Sequence, residues 1–222
     1  ASKPFEDKFR QLDGLLPTPN SYRTASGKPG HKYWEQQVNY SIKAKLNDDN
    51  QSIQGSEWIT YFNNSPDNLN YLWIQLDQNR YQQSSDLLNA KSASIDNKIT
   101  YKQLENHLKS VKFDGGYKIT RVTDSKNQLL AHTIVKTMMR IDLPKSLKPS
   151  QKIRFFIAWH YNIANQKELG GRGGFEHFES DNNNIYEIAR WYPRLAVYND
   201  GKINNFWGTG NLLLSLVILT LN

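Results

Sequence analysis

The sequence predicts a mostly β protein of antiparallel strands, arranged as a β-sandwich or as saddle-shaped sheets with a short helical insertion. Three observations predict this fold class. Apolar and polar residues alternate over several segments, polar turn residues separate those segments, and no fixed repeat marks a propeller or solenoid. With 222 residues and 12% aromatic side chains, the chain is long enough to bury a core, which excludes disorder for most of it.

The first two predicted strands form a hairpin. Apolar residues occupy every second position from Val38 to Leu46, and Asp48-Asp49-Asn50 supplies a turn before the aromatic-rich strand Ile53–Phe62. A third alternating segment, Leu72–Leu76, follows a short polar turn. Three consecutive strands with short connections predict a meander.

Residues 78–113 interrupt the alternation and are predicted to be a polar insertion with one helix over Tyr101–Val111. Strands resume over Gly116–Thr123, Gln128–Val135 and Met138–Leu143, and Pro144 and Pro149 are expected to bracket a loop. The clearest strand is Lys152–Ile163, where six large apolar residues keep one parity without a break. This strand is predicted to be central in a sheet.

The chain divides into three parts by composition. Residues 1–30 form an N-terminal arm with a helix predicted over Phe5–Leu16, residues 31–210 form the β domain, and residues 211–222 form an apolar tail. The apolar run Leu212–Leu221 is about half the length that spans a bilayer, so no transmembrane segment is expected. Because the chain begins at Ala1, we expect a mature exported protein with a periplasmic or extracellular location.

The composition excludes several kinds of chemistry. There is no cysteine, so disulfides, thiolate zinc sites and cysteine nucleophiles are absent, and the five histidines fall on separate predicted elements. His160 is expected on the outward face of its strand, as an ordinary sheet residue. Residues 101–150 hold 10 basic and 4 acidic residues, which gives +6 of the net charge of +7. These cations are dispersed, so solvated strand faces are favoured over nucleic-acid binding.

One glycine-rich segment and one group of aromatic residues each have both a structural and a functional interpretation. Gly170–Gly174 resembles a phosphate-binding loop, but no Lys-Ser/Thr pair and helix follow it, so close backbone approach or positive φ is favoured. An aromatic group could stack on sugars or bases, although core packing is favoured for its members, which are Trp159, Phe175, Phe178, Tyr186, Trp191 and Tyr192.

Several motifs together resemble the N-terminal domain of the membrane alanyl aminopeptidase family of zinc metallopeptidases, peptidase family M-one, in its bacterial form. The likeness covers roughly residues 15–210. It is carried by Leu16-Pro17-x-Pro19-Asn20-x-Tyr22, Ile59-x-Tyr61-x-Asn63-Asn64-Ser65-Pro66, Leu69-x-x-Leu72-x-x-Gln75-Leu76-Asp77, Met139-Arg140-Ile141-Asp142-Leu143-Pro144, Gly171-Arg172-x-Gly174-Phe175-Glu176-x-Phe178 and Tyr186-Glu187-Ile188-Ala189-x-Trp191-Tyr192-Pro193-Arg194.

The resemblance implies a β-saddle domain that packs on a thermolysin-like catalytic domain and helps to form the pocket for the substrate's N-terminus. Zinc is implied for the full-length family member, with its ligands and general base beyond residue 222, so this chain is expected to have no catalytic residue, no metal ligand and no activity alone. By position, Glu187 would hold the free amine of a peptide substrate. The alternative is that Glu187 is a sheet or ion-pair residue.

The tail departs from the family pattern after Gly208-Thr209-Gly210. Relatives continue with Glu-Phe and an alternating strand, and a one-base frameshift would convert Glu-Phe-Ala-Leu into Asn211-Leu212-Leu213-Leu214. The tail is therefore expected to be frameshifted and non-native. The rival function is a free-standing secreted β-sandwich binding module with an aromatic ligand surface. A separated domain should expose an apolar patch, whereas a binding module should have a polar closing surface.

Overall fold

The computed structural model describes residues 19–83, 100–101, 105, 113–169, 173–199, 206–208 and 215–219. The predicted helix Phe5–Leu16 lies outside these residues, and so does most of the predicted insertion helix Tyr101–Val111. Among the described residues, none of the helices combines the length and the apolar character that a membrane span requires.

The described part of the chain is mostly antiparallel β-structure, which confirms the predicted fold class. Its thirteen strands are β1 (Gln37–Asn47), β2 (Ser52–Phe62), β3 (Leu69–Gln75), β4 (Lys118–Asp124), β5 (His132–Val135), β6 (Met138–Leu147), β7 (Lys152–Asn162), β8 (Gly174–Phe178), β9 (Asn183–Ala189), β10 (Arg194–Leu195), β11 (Val197–Asn199), β12 (Phe206–Gly208) and β13 (Ser215–Leu219). A 3-10 helix, Asp77–Tyr81, follows β3, and the short helix α1, Gln166–Leu169, follows β7.

Two four-stranded sheets form the body of the described structure. The first has the order β1-β2-β7-β4 and the second has the order β10-β3-β6-β5. Smaller sheets pair β11 with β12 and join β13, β9 and β8. Strand β7 lies between β2 and β4, so its predicted central position is confirmed, and β1 and β2 form the predicted hairpin.

The predicted meander is wrong because β3 does not pair with β2. Strand β7 pairs with β2 along the whole length of both strands, from Ser52 opposite Asn162 to Phe62 opposite Lys152. The edge of β2 that a meander needs is therefore occupied. Strand β3 instead crosses to the second sheet, where it lies between β10 and β6.

The core lies between the inward faces of these sheets. Every second residue of β7 from Phe155 to Tyr161 is buried, together with the same parity of β2. The second sheet contributes the fully buried side chains of Leu72, Ile74, Met139 and Ile141. The strict alternation read from the sequence therefore reports which face of each strand meets the core.

The turn after β2 is organised by the buried side chain of Asn63. Its Nδ2 donates to the carbonyl oxygens of Asp67 at 2.7 Å and Leu147 at 3.0 Å. Its Oδ1 accepts from Ser65 Oγ at 2.6 Å and Gln36 Nε2 at 3.2 Å. A buried amide with all of these partners stabilises the turn that sends the chain from the first sheet to the second.

Two sequence predictions around β5 and β6 are wrong in their boundaries. The strand predicted from Gln128 begins only at His132, because Asp124 Oδ1 accepts from the backbone amides of Lys126 and Gln128 and holds a turn there. Strand β6 continues through Pro144 to Leu147 instead of ending in a loop. Its pairing with β3 shifts register between Leu69 and Tyr71, and an irregular ladder tolerates the missing amide of proline.

Candidate functional site

A cavity of about 370 Å³ lies where the 3-10 helix, the end of β7 and the end of β9 meet. Its lining combines apolar side chains with three charged ones and the backbone of two glycines. The lining residues are Asp77, Gln78, Arg80, Tyr81, Ile163, Ala164, Gly173, Gly174, Ile188, Ala189 and Arg190. We take this cavity as the candidate site because several polar groups converge on one apolar cavity, which is typical of binding sites.

Gly174 allows the start of β8 to approach the end of β7. Its φ is +140°, and a Cβ at this position would lie 2.2 Å from the carbonyl oxygen of Ala164. That same oxygen accepts a hydrogen bond from the amide of Phe175 at 2.9 Å. The prediction that this glycine-rich segment permits close backbone approach is confirmed at Gly174, while residues 170–172 lie outside the described part of the chain.

The turn after β9 has a strained backbone that is held by hydrogen bonds from the side chains of Gln78 and Tyr161. Arg190 has a φ of +54°, which is uncommon for a residue with a Cβ. Gln78 Nε2 donates to the carbonyl oxygen of Ala189 at 3.0 Å, and the Tyr161 hydroxyl donates to the carbonyl oxygen of Trp191 at 3.0 Å. These bonds fix the backbone that carries Arg190 into the cavity wall.

Asp77 joins this turn to the second sheet electrostatically. Its carboxylate lies 2.9 Å from Arg194 Nη2 and 3.4 Å from Arg190 Nη1. Arg194 is buried and also donates from Nη2 to Gln75 Oε1 at 2.7 Å. Two guanidinium groups therefore share one carboxylate, and this arrangement stabilises the wall of the cavity.

Glu187, the substrate-binding residue expected from the resemblance, lies on β9 near this cavity but not in its lining. It pairs with Gly174 of β8 on one side and Val217 of β13 on the other. Its neighbours Tyr186 and Ile188 point into the core, and Glu187 is exposed on the opposite face. In the described part of the chain its carboxylate makes no hydrogen bond or ion pair.

Glu57 is a buried carboxyl that the sequence interpretation did not single out. Its side chain is completely buried on β2, and neither carboxyl oxygen has a hydrogen-bond partner in the described structure. Burial raises the pKa of Glu57 well above its ordinary value of 4.5. The Trp159 indole lies close enough to lower that pKa in part, although the two groups make no hydrogen bond of standard geometry.

The other sequence candidates fall mostly in the core or on open surface. Trp159, Tyr186 and Tyr192 are buried, and Phe175 and Trp191 pack partly against the core, which confirms core packing for these five aromatic residues. The sixth, Phe178, is half-buried, and its ring lies 5.6 Å from Lys167 Nζ. His160 is exposed opposite the apolar stripe of β7, as predicted. Within the described ranges, no three His, Asp or Glu side chains gather to hold a metal ion.

The cavity residues Asp77, Gln78 and Arg190 were missed because their grouping is created by folding. Arg190 lies more than 100 positions along the chain from Asp77 and Gln78, and no local spacing marks the group. The inward position of Glu57, in contrast, could have been predicted from the sequence. Glu57 shares the parity of Ile53, Ile59 and Tyr61, so the alternation that predicted β2 already placed this carboxyl on the inward face.

Comparisons with known proteins give no family assignment. No protein-family model matches the chain, and no curated protein matches it. Among solved structures, an M1 zinc metallopeptidase from Deinococcus radiodurans is 10% identical with a TM-score of 0.40, covering 68% of this chain and 26% of that one. A mutant of that enzyme bound to a Tyr-Ser-Ala substrate has a TM-score of 0.39 at the same identity and coverage.

A structure from another class of enzyme also matches. A GH20 exo-β-N-acetylglucosaminidase from Vibrio harveyi, in complex with N-acetylglucosamine, is 11% identical with a TM-score of 0.28, covering 79% of this chain and 19% of that one. The chain thus spans about a quarter of the length of the metallopeptidases that it matches. At these scores the likeness is partial and does not extend to function.

Proposed function

We propose that this chain is the non-catalytic N-terminal β domain of a zinc aminopeptidase, in which it helps to hold the free amine of a peptide substrate. The sequence motifs that resemble this family support the proposal, and several of them meet in the structure. Leu69-x-x-Leu72-x-x-Gln75-Leu76-Asp77 and Trp191-Tyr192-Pro193-Arg194 are joined by the contacts of Arg194 with Asp77 and Gln75. Four residues of the family motifs, Asp77, Gly174, Ile188 and Ala189, line the cavity described above.

The observation that carries the proposal is a set of exposed apolar side chains on β5 and in the turn that precedes it. This strand lies at the edge of the second sheet, and all four of its residues are exposed. Leu129 is 81% exposed, Ile134 is 40% exposed and Val135 is 57% exposed. Exposed apolar side chains on a strand whose second edge has no partner in the described part of the chain are typical of a surface that another domain covers, and a polar closing surface was expected for a free-standing binding module.

Glu187 would contribute a negative charge to the site for the peptide's N-terminus. An exposed carboxylate without an internal partner can accept hydrogen bonds from an ammonium group at little cost in desolvation. In the described part of the chain Glu187 makes no ion pair, so its negative charge is available to a ligand.

The described residues do not fit a zinc site, so no catalytic step is derived for this chain. In the proposed enzyme, zinc bound in the catalytic domain would polarise the scissile carbonyl and activate water. The role proposed for the present domain is to bind and orient the substrate, which raises the rate by positioning.

The first test is to sequence the encoding DNA downstream of the codon for Gly210. We expect a reading frame, direct or shifted by one base, that encodes His-Glu-x-x-His followed by a later Glu. A stop codon in every frame with no such motif would overturn the proposal and favour the binding module.

The second test is the substitution Glu187→Gln in the full-length enzyme. Because one charge-assisted contact to the amine is weakened, kcat/KM for a peptide with a free N-terminus should fall about tenfold or more. Glu179→Gln removes the same charge from an exposed turn and should leave kcat/KM unchanged. An equal effect of both variants would contradict the role of Glu187.

A further inference from the structure

The outward side chains of β1, β2, β7 and β4 form a surface, the outer face, on the opposite side of the first sheet from the core. The four strands contain only two acidic residues. Glu57 points inward, and Asp124 bonds the amides of its own turn. Among the exposed cations of these strands Lys118 is paired with Asp114, and the other five are Lys43, Lys45, Arg121, Lys152 and Arg154.

None of these five cations forms an ion pair within the described ranges. Lys118 of β4 provides the contrast, because its Nζ lies 2.5 Å from the carboxylate of Asp114. Arg121 has one polar partner, the side-chain oxygen of Asn127, which is uncharged. The positive charge of these five residues is thus not neutralised by a carboxylate of the described part of the chain.

Aromatic rings hold two of the guanidinium groups in place. Trp58 and Phe156 lie opposite each other on β2 and β7, with ring centroids 5.2 Å apart. The guanidinium carbon of Arg154 lies 4.4 Å from the centroid of the Trp58 ring, and that of Arg121 lies 5.7 Å from Phe156. A guanidinium held on an aromatic ring loses less freedom when it binds an anion.

The cations lie at the two ends of the outer face, with the ring pair between them. Lys152 and Arg154 are at one end. Lys43 and Arg121 are at the other end, because Arg121 pairs with Ala158 of β7, and Lys43 pairs with the β2 residue that lies opposite Ala158. Lys45 lies beyond Lys43, level with His160 through Gln54, and is eight positions along the sheet from Lys152, which corresponds to about 27 Å at ~3.4 Å per residue. A ligand that contacts both ends must therefore be extended.

Hydroxyl and amide groups line two shallow depressions between the charges. One depression includes Asn39, Ser41, Thr60 and Arg154. The other includes Lys43, Gln54, Ser56 and Thr120. Each depression thus combines cations with neutral groups that can donate and accept hydrogen bonds.

We propose that the outer face binds an acidic polysaccharide, a chain whose carboxylate or sulfate groups alternate with hydroxyl groups. The unpaired cations match the acidic groups, and the amide and hydroxyl side chains between them match the sugar hydroxyls. This is a binding surface separate from the peptide site proposed above, and it does not depend on that site.

Other polyanions fit the outer face less well. Single-stranded nucleic acid gains much of its affinity from bases stacked on free aromatic rings, whereas Arg154 and Arg121 already cover Trp58 and Phe156. A duplex is read by an element that enters its groove, and the outer face is the surface of a sheet. An extended acidic peptide would add to a strand edge.

The test is fluorescence anisotropy of the full chain with a fluorescein-labelled heparin oligosaccharide at several salt concentrations. The variant Lys43→Gln with Arg154→Gln should bind at least about tenfold more weakly, a loss of ~1.4 kcal/mol. The matched control, Lys145→Gln with Lys148→Gln, removes two exposed charges elsewhere and should bind within about twofold of wild type. Arg154→Lys keeps the charge and should lose part of the affinity because it loses the planar fork.

Competition with unlabelled ligands distinguishes the sources of negative charge. A single-stranded DNA of equal charge and vesicles containing phosphatidylglycerol should both displace the oligosaccharide less well than unlabelled heparin does. Stronger displacement by DNA or vesicles, equal losses in the two double variants, or no binding at low salt would each overturn the proposal. Circular dichroism of the variants confirms folding, and Lys43→Gln alone retains the test if the double variant unfolds.

Discussion

Gly55 of β2 lies directly opposite Trp159 of β7, and the indole ring of the tryptophan covers the glycine. A Cβ at Gly55 would lie 2.4 Å from Trp159 Cζ2. Trp159 also stacks on Tyr161, with ring centroids 5.7 Å apart, so the ring has neighbours that limit its movement. The inward glycine is therefore the space into which the largest core side chain packs.

Gly55→Ala should destabilise the protein by about 1–3 kcal/mol, because the added methyl group overpacks the contact with Trp159. Urea unfolding followed by tryptophan fluorescence measures the change. Ser56→Ala, at the next position on the outward side of β2, is the control and should change stability by less than about 0.5 kcal/mol. Equal midpoints for Gly55→Ala and wild type would show that the indole ring moves freely.

Glu57→Gln should make the protein more stable at neutral pH and remove part of its pH dependence. Burial raises the pKa of Glu57 in the folded state, so the folded protein keeps a proton that the unfolded chain releases above about pH 4.5. Stability therefore falls as the pH rises through this region, by up to ~1.4 kcal/mol per pH unit, until the folded-state pKa is reached. The glutamine amide has no such proton to lose.

The measurement is the free energy of unfolding of both proteins at pH 4, 5, 6 and 7, using the same denaturant. The groups that interact electrostatically with Glu57 include the phenols of Tyr40, Tyr117 and Tyr192, whose pKa values are themselves raised by burial. Those phenols stay neutral over this range. Parallel curves for wild type and Glu57→Gln would mean that Glu57 ionises normally in the folded state.

Asp77→Ala should destabilise the protein by about 2–3 kcal/mol, since it leaves the buried guanidinium of Arg194 without its carboxylate. Thermal unfolding at neutral pH gives the change in stability. Asp142→Ala removes a 2.8 Å ion pair with Arg140 in which both side chains are more than 40% exposed. That control should cost less than about 1 kcal/mol, and a similar loss in both variants would contradict a special role for Asp77.

Asn63→Ala should destabilise the protein by about 2–4 kcal/mol. The substitution leaves the buried carbonyl oxygens of Asp67 and Leu147 without their side-chain donor and leaves Ser65 without its acceptor. Asn68→Ala, at an exposed position nearby, should be close to neutral. Chemical unfolding measures both variants, and a neutral effect of Asn63→Ala would show that water replaces the amide.

The strands could be predicted from the sequence because apolar and polar residues alternate along each half-buried strand. The run from Lys152 to Ile163 gave both the extent of β7 and its buried face, since every second side chain meets the core. The hairpin of β1 and β2 could be predicted for the same reason, because its two strands are neighbours in the sequence. Its register follows from a short turn that contains Asp48.

The order of strands and the candidate site could not be predicted in the same way. Strand β3 cannot pair with β2 because β7, which lies far along the chain, pairs with the free edge of β2 instead. The cavity depends on Asp77 and Arg190, which meet only after β3 and β9 are in place. The side chain of Glu187 was placed by resemblance, and its proposed role remains a prediction.

The pairing of β2 with β7 also sets an order of events during synthesis. Residues 52–62 can form their hairpin with β1 early, but their second partner consists of residues 152–162, so one edge of β2 stays open until that later segment has been made. Contacts between such distant segments form slowly. We therefore expect the nascent hairpin to be the species most prone to aggregate, and chaperones that cover open strand edges should increase the yield of folded protein.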